Sequence, residues 1–168
     1  VRKNPEIPIH LVTDEPGKWE EIDEKNLTVD ALSEAEYSFN DKIEGMLKTP
    51  FTKTIFLDTD TIVVQSLKSI SSALEYYDLV AAHAPVNFNF SWEQDEYPDC
   101  LPQFNTGVVG YRMTPKMRDF FIDWKKNREL RPEGHDQPTF RETVLQAGVN
   151  VGALSQRYNL RTPFPLVI

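Results

Sequence analysis

The chain has 168 residues, 26 acidic and 18 basic, with a net charge of −8. This length fits one domain, so we expect residues 1–168 to share one core, and the acidic balance argues against nucleic acid as a partner. The single cysteine, Cys100, excludes an intrachain disulfide and any multi-cysteine metal site, and it favours a reducing compartment, the cytoplasm. No apolar run approaches the roughly 20 residues of a transmembrane segment.

Strand-like and helix-like segments alternate along the first half of the chain. A strand is predicted over 7–13, and apolar residues at helical spacing predict a helix over 34–47 that Thr49-Pro50 ends. A short β-rich run over 54–57 indicates a buried strand, and a second such run follows over 62–64.

The same alternation continues in the second half. Thr114 is a good N-cap and Pro115 occupies the favoured first position, so a helix is predicted to begin there. This pattern is typical of an α/β domain with a mostly parallel sheet flanked by helices. The other predicted elements are a helix over 69–77, a strand over 78–82 that ends at His83, a strand over 104–111, a helix over 136–146 and a strand over 149–153.

A long segment without periodicity, residues 85–103, carries aromatic and acidic side chains. Loops of this length inside compact domains are usually functional or mobile. We interpret the segment as a lid or rim over a site, with a surface excursion as the alternative.

Asp58-Thr59-Asp60 is the most informative feature, because it stands where an apolar strand ends. In open α/β sheets, ligands bind at the carboxyl ends of the strands. Two carboxylates at this edge can both reach Mn²⁺ or Mg²⁺, which prefer oxygen ligands and neutralise phosphate oxygens. The sequence therefore predicts a metal site at Asp58 and Asp60, with a solvated turn as the alternative.

The segment 52–64 around this motif resembles the DxD region of GT-A glycosyltransferases, the nucleotide-diphospho-sugar transferases, and is most similar to the family 8 type. Three further segments agree with that family in order and spacing: 5–14, Phe104-Asn105-Thr106-Gly107-Val108, and His135-Asp136-Gln137. Together these segments cover most of the chain.

The resemblance implies a Rossmann-like sheet of GT-A type and a sugar transferred from a nucleotide-sugar donor, with a UDP-sugar favoured, to a carbohydrate or other hydroxyl acceptor. Asp58 and Asp60 would hold Mn²⁺ or Mg²⁺ on the diphosphate. Asp136 and Gln137 would lie near the reacting anomeric carbon, although Asp136 could equally be a plain N-cap. The remaining expected donor contacts are Lys42, Thr59, His83, Asn105, Thr106 and Gly107.

Two of these donor contacts have plainer interpretations. Lys42 lies opposite the apolar face of its helix and could be a solvated lysine, and His83 could be a strand-end histidine satisfied by hydrogen bonds. The family usually has a nucleoside-binding strand ahead of 5–14 and a third metal ligand, a histidine, after its last strand. We find neither, so the fold is expected to be truncated at both ends, with His83 or His135 as substitute ligands.

Two other functions remain open. A haloacid-dehalogenase-like phosphatase also places two aspartates after an apolar strand, but it carries Thr or Val where this chain has Ile62. A non-catalytic module that binds nucleotide-sugars would keep the fold without the full site. A phosphatase would release phosphate from an aryl phosphate, whereas a transferase would bind a nucleoside diphosphate only with metal.

Overall fold

The computed structural model describes residues 4–19, 21–22, 25–84, 100–131 and 135–160. Most of the predicted lid segment therefore lies outside the described residues. Strands and helices alternate through the described ranges. In chain order they are β1 (Ile9–Thr13), β2 (Leu27–Ala31), α1 (Phe39–Leu47), β3 (Lys53–Leu57), α2 (Lys68–Ala73), β4 (Leu79–His83), β5 (Phe104–Arg112), α3 (Pro115–Leu130), α4 (Asp136–Ala147) and β6 (Val151–Leu154), with short 3₁₀ turns at Pro16–Trp19 and Gln156–Tyr158.

The strands form two sheets rather than one mostly parallel sheet. β1 and β2 pair in parallel, and a second sheet has the order β3-β5-β4-β6. β5 runs antiparallel to both β3 and β4, and only β4 and β6 pair in parallel there. The α/β class is confirmed, but the mostly parallel sheet is not. The interior residues of β5 are buried on both faces, and such a strand has the same composition in either direction, so the sequence does not reveal the reversal of β5.

Local hydrogen bonds set the helix boundaries. The Ser38 hydroxyl accepts from the amide of Asn40 at 3.1 Å, and the Asp41 carboxylate accepts from the amide of Ser38 at 3.2 Å. This capping begins α1 at Phe39, five residues later than predicted. The predicted cap of α3 is confirmed, because the Thr114 hydroxyl accepts from the amide of Met117 at 3.2 Å.

The predicted strand at 62–64 is absent, and this segment has no regular structure. The amide of Thr61 donates to the carbonyl of Asp58 at 3.0 Å. This hydrogen bond closes a turn, so the chain leaves the direction of β3 after Asp58. Ile62 and Val64 are exposed, and no strand pairs with them among the described residues. A β-rich run without a partner strand does not form a strand.

Aromatic side chains fill the core between β5 and the helices α3 and α4. Tyr111, Phe121, Trp124 and Phe140 are fully buried and meet mostly edge to face. The hydroxyl of Tyr111 donates to the carbonyl of Met46 at 2.8 Å, which ties α1 to this core. The packing fixes α1, β5 and α4 relative to one another. Within the described ranges, no helix is both long and apolar enough to span a bilayer.

Asp78, the residue before β4, connects the end of β5, the start of α3 and the loop before β6. Its carboxylate accepts from the amide of Asn150 at 3.1 Å, from Arg112 at 3.1 Å and from Lys116 at 3.4 Å. The hydrogen bond from the Asn150 amide is the main reason that the pKa of Asp78 lies below its usual range. Burial raises this pKa and opposes the effect, whereas Lys116 and Arg112 lower the pKa further. The charged form of Asp78 therefore stabilises the fold.

We expect Asp78→Asn to lower the free energy of unfolding by about 1.5 kcal/mol at pH 7, because hydrogen bonds to a charged group are lost. A lowered pKa stabilises the folded chain above the ordinary aspartate value of 3.8, and that contribution disappears as the pH falls through the lowered pKa. Urea unfolding from pH 7 down to pH 3 should therefore show the two proteins converging in acid. Asp119→Asn, on the exposed face of α3, is the matched control. A constant difference at every pH would contradict this account.

Candidate active site

The predicted acidic motif lies where β3 ends. Asp58 follows β3 directly, and its amide donates to the carbonyl of Gly107 on β5 at 2.9 Å. Thr59 and Asp60 occupy the turn that follows and are exposed. The backbone therefore fixes Asp58 against β5, while Asp60 reaches into solvent beside it.

Lys42 brings three site residues together. Its Nζ lies 3.0 Å from Oδ1 of Asp58, 3.0 Å from Oδ2 of Asp136 and 3.4 Å from Oγ1 of Thr106. The hydroxyl of Thr106 also donates to Oδ2 of Asp136 at 2.6 Å. These four residues, which we call the Lys42 cluster, come from α1, the end of β3, β5 and the start of α4. Residues far apart in sequence thus meet at one point.

The surroundings of Lys42 contradict its interpretation as a solvated lysine. Its side chain is only 11% exposed, and its ammonium lies 5.7 Å and 5.8 Å from the ring centroids of Phe39 and Phe56. Cations are attracted to aromatic faces at such distances. The two rings and the two carboxylates hold the ammonium in place.

The Lys42 cluster carries more negative than positive charge. The Asp136 side chain is 4% exposed and that of Asp58 is 32% exposed, and both share the single ammonium of Lys42. Burial raises the pKa of Asp58, Lys42 partly offsets this effect, and the charges of Asp136 and Asp60 raise it further. A further cation next to Asp58 would relieve this repulsion.

Asp58 and Asp60 fit the protein's share of a metal site. Among the described residues, no group of three His, Cys, Asp or Glu side chains could hold a metal ion alone. Mg²⁺, however, is commonly bound by one or two carboxylates together with substrate phosphates. The part-exposed carboxylate of Asp58 and the exposed Asp60 provide such a pair.

A bulge in β5 places Asn105, Thr106 and Gly107 at the site. Ala81 of β4 pairs with Val109, but the next residue, Ala82, pairs with Asn105, so the residues between are unpaired on that side. Bulges often redirect side chains next to active sites. Here the bulge lets Thr106 reach Asp136, while Oδ1 of Asn105 accepts from the amide of Gly107 at 3.1 Å.

The start of α4 rules out the plain N-cap interpretation of Asp136. The N-cap of α4 is His135, and Asp136 is the first helical residue. The Asp136 carboxylate is directed to Thr106 and Lys42, and its carbonyl accepts from the indole of Trp124 at 3.3 Å. Gln137 is 5% exposed, and its Oε1 is buried without a hydrogen-bond partner among the described residues. Asp136 and Gln137 therefore have buried polar atoms that helix capping does not explain.

His83 lies apart from the Lys42 cluster. It is exposed at the end of β4, where its Nδ1 lies 3.1 Å from the carbonyl oxygen of Ala84. Across the described ranges, no hydrogen bond or ion pair joins it to Lys42, Asp58 or Asp136. A role for His83 in binding substrate stays a prediction, as does the role of Thr59.

Asn159 is a site residue that the sequence did not indicate. It follows the 3₁₀ turn at Gln156–Tyr158, and its Nδ2 approaches Gly107, beside Asp58 and Asn105. An asparagine in an irregular segment carries no periodic or motif signal. Its position near Gly107 depends on the pairing of β6 with β4, which the sequence alone does not show.

Comparison with known proteins identifies the family to which the chain belongs. The sequence model of the nucleotide-diphospho-sugar transferases matches residues 51–163, which is more than half of the chain. The match includes Asp58, Asp60, Asp136 and Gln137, whereas Lys42 lies ahead of it. A search among curated proteins returns no match.

Proposed function

Because the chain belongs to the nucleotide-diphospho-sugar transferase family, we propose that it is a metal-dependent glycosyltransferase. It would move a sugar from a nucleotide-sugar, with a UDP-sugar favoured, to a hydroxyl group of a carbohydrate or other acceptor. One observation carries this proposal: Lys42, Asp58, Thr106 and Asp136 converge at the end of β3, where α/β sheets bind ligands.

The negative charges at the end of β3 explain why a metal ion would be needed to bind the donor's diphosphate. A nucleoside diphosphate is an anion, and Asp58 and Asp60 would repel it in an already acidic chain. Asp58 and Asp60 would hold Mn²⁺ or Mg²⁺ between themselves and the diphosphate. When bound, this ion would neutralise charge on the departing nucleoside diphosphate.

The chain's own residues position the donor sugar. Lys42 and Thr106 fix the carboxylate of Asp136, so its charge is oriented before substrate binds. A preoriented charge costs no reorganisation during the reaction and is therefore effective in stabilising a positive sugar carbon. Oε1 of Gln137, which has no hydrogen-bond partner within the described ranges, can accept from a hydroxyl of the same sugar.

The stereochemical outcome depends on the role of Asp136. In a family 8 type transferase, which the sequence motifs favour, configuration is retained, and Asp136 and Gln137 would stabilise the sugar cation. In an inverting enzyme, Asp136 would be the base that accepts the acceptor's proton. The anomer of the product, read by NMR, distinguishes these two roles.

The cytoplasm is the compartment in which we place this reaction. Cys100 is exposed and free, and an exposed thiol of this kind persists in reducing surroundings.

Turnover of donor tests the proposed function. We expect the chain with Mn²⁺ to release UDP from one member of a panel of UDP-sugars, faster when a simple glycoside acceptor is added. Asp58→Asn should abolish this release, whereas Asp119→Asn on the exposed face of α3 should not. Release of phosphate from an aryl phosphate that depends on Asp58 would instead favour the phosphatase. Metal-dependent binding of UDP-sugars without any turnover would favour the binding module.

A further inference from the structure

The ammonium of Lys42 contacts both carboxylate oxygens of Asp58. Its Nζ lies 3.0 Å from Oδ1 and 3.3 Å from Oδ2. The Asp58 side chain is 32% exposed, so an ion from solvent can reach the same carboxylate. Each oxygen of Asp58 that could bind a metal ion therefore already has a positive charge beside it.

Contacts other than Asp58 also hold Lys42 in place. Its Nζ lies 3.0 Å from Oδ2 of Asp136 and 3.4 Å from Oγ1 of Thr106, and the two phenylalanine rings described above flank it. Because these contacts do not involve Asp58, the ammonium can stay where it is when Asp58 binds a second cation. The positive charge of Lys42 would then remain close to that cation.

The charges around Asp58 act on a metal ion in opposite directions. The carboxylates of Asp58, Asp60 and Asp136 attract a divalent cation, and the ammonium of Lys42 offsets part of that attraction, since like charges repel strongly in a partly buried site. Among the described residues, no group of three His, Cys, Asp or Glu side chains completes a metal site. A nucleoside diphosphate would supply further oxygen ligands and also the negative charge that balances the ammonium.

We propose that Lys42 is an internal counter-ion of Asp58, which keeps the affinity for a divalent cation low until a nucleoside diphosphate binds. This inference rests on the proposed function and adds an order of binding to it. The metal ion and the nucleotide would enter together, rather than the metal first, because Lys42 penalises the ion alone and attracts the diphosphate.

Calorimetry with MnCl₂ alone tests this role of Lys42. We expect Lys42→Met to bind Mn²⁺ at least about tenfold more tightly than the unmodified chain, because a positive charge next to the metal-binding carboxylate is removed. Lys42→Arg keeps the charge and should bind Mn²⁺ within about threefold of the unmodified chain. Lys125→Met is the matched control, since Lys125 pairs with Glu44 rather than with a site residue, and it should leave the affinity unchanged.

The same titrations with UDP present test the order of binding. UDP should raise the affinity for Mn²⁺ at least about tenfold more in the unmodified chain than in Lys42→Met, since only the unmodified chain has the ammonium that the diphosphate balances. A UDP effect of the same size in both proteins would contradict the proposed order of binding.

Thermal unfolding with and without Mn²⁺ covers the lower stability expected of Lys42→Met. An ion that binds only the folded chain stabilises it more when its affinity is higher. Mn²⁺ should therefore raise the unfolding temperature of Lys42→Met by more than it raises that of the unmodified chain. This comparison remains valid when part of the variant is unfolded before the ion is added.

The outcomes separate this inference from the proposed function. Equal affinity of the unmodified chain and Lys42→Met for Mn²⁺ alone would overturn the inference, because the charge of Lys42 would then not act on the ion. Tight binding by Lys42→Arg, equal to that by Lys42→Met, would also overturn it, since the shape of the side chain would then matter rather than its charge. Failure of the unmodified chain to bind UDP with Mn²⁺ would overturn the proposed function and the order of binding, while the affinities for Mn²⁺ alone would still decide the role of Lys42.

Discussion

Lys42→Met is expected to lower the rate of sugar transfer by about 10²- to 10³-fold, the effect of removing one preoriented charge from an active site. The same change should lower the free energy of unfolding by about 3 kcal/mol, because breaking a buried ion pair leaves an uncompensated charge. Asp136, 4% exposed, would lose the ammonium 3.0 Å from its Oδ2, and of the charged groups on the described residues Arg128 would still attract it. UDP release and urea unfolding measure the two effects.

Lys125→Met is the matched control for this change. Lys125 also contacts a carboxylate, that of Glu44 at 2.5 Å, but this pair is more exposed, at 27% and 34% of the two side chains. Exposed pairs contribute little to stability, so we expect a loss below about 1 kcal/mol and unchanged turnover. Equal effects of the two substitutions would show that Lys42 has no special place in the site.

Asp136→Asn is expected to lower kcat by about 10³-fold while the affinity for UDP changes less than about threefold. The substitution keeps the shape of the side chain and removes the charge that Lys42 and Thr106 orient, so the reacting sugar loses its stabilising carboxylate. The nucleotide should still bind, because Asp58 and Asp60 remain. Turnover and calorimetry on the same protein separate the two quantities.

Asp123→Asn makes the same chemical change on α3, where Asp123 pairs with Lys126 at 3.0 Å on the surface. Turnover of this control should equal that of the unmodified chain. If Asp136→Asn retained full turnover and only unfolded more readily, Asp136 would be a structural residue, and the assignment of the reaction centre would be wrong.

The sequence predicted the elements that carry strong local signals. Thr114 and Pro115 mark the start of α3, and the apolar runs mark β3, β4 and β5. It did not predict β2, although Leu27 and Val29 alternate with polar residues there. These errors have a common cause, because residues distant in sequence determine which strands pair and in which direction. The β-rich run at 62–64 has no partner strand among the described residues and stays irregular. β5 lies between β3 and β4 and runs antiparallel to both.

The site was predictable only where a motif stands at the end of an element. Asp58, Thr106 and Asp136 were expected near a donor, and the structure places them within one hydrogen-bonded cluster. The position of Lys42 on a polar helix face favoured a solvated lysine over a donor contact. Its side chain is buried because α1 packs against the core. No sequence motif indicated Asn159, because its position near Gly107 depends on the pairing of β6 with β4.

Calorimetric titration of UDP, with and without Mn²⁺, into the unmodified chain and into Asp60→Asn tests whether a metal ion joins the nucleotide to Asp58 and Asp60. We expect the unmodified chain to bind UDP only when Mn²⁺ is present, and Asp60→Asn to bind it at least about tenfold more weakly, because one of the two carboxylates that would hold the ion is lost. Binding of UDP that is the same with and without Mn²⁺, or that is unaffected by the loss of the Asp60 charge, would contradict a metal-bridged nucleotide-sugar site at the end of β3.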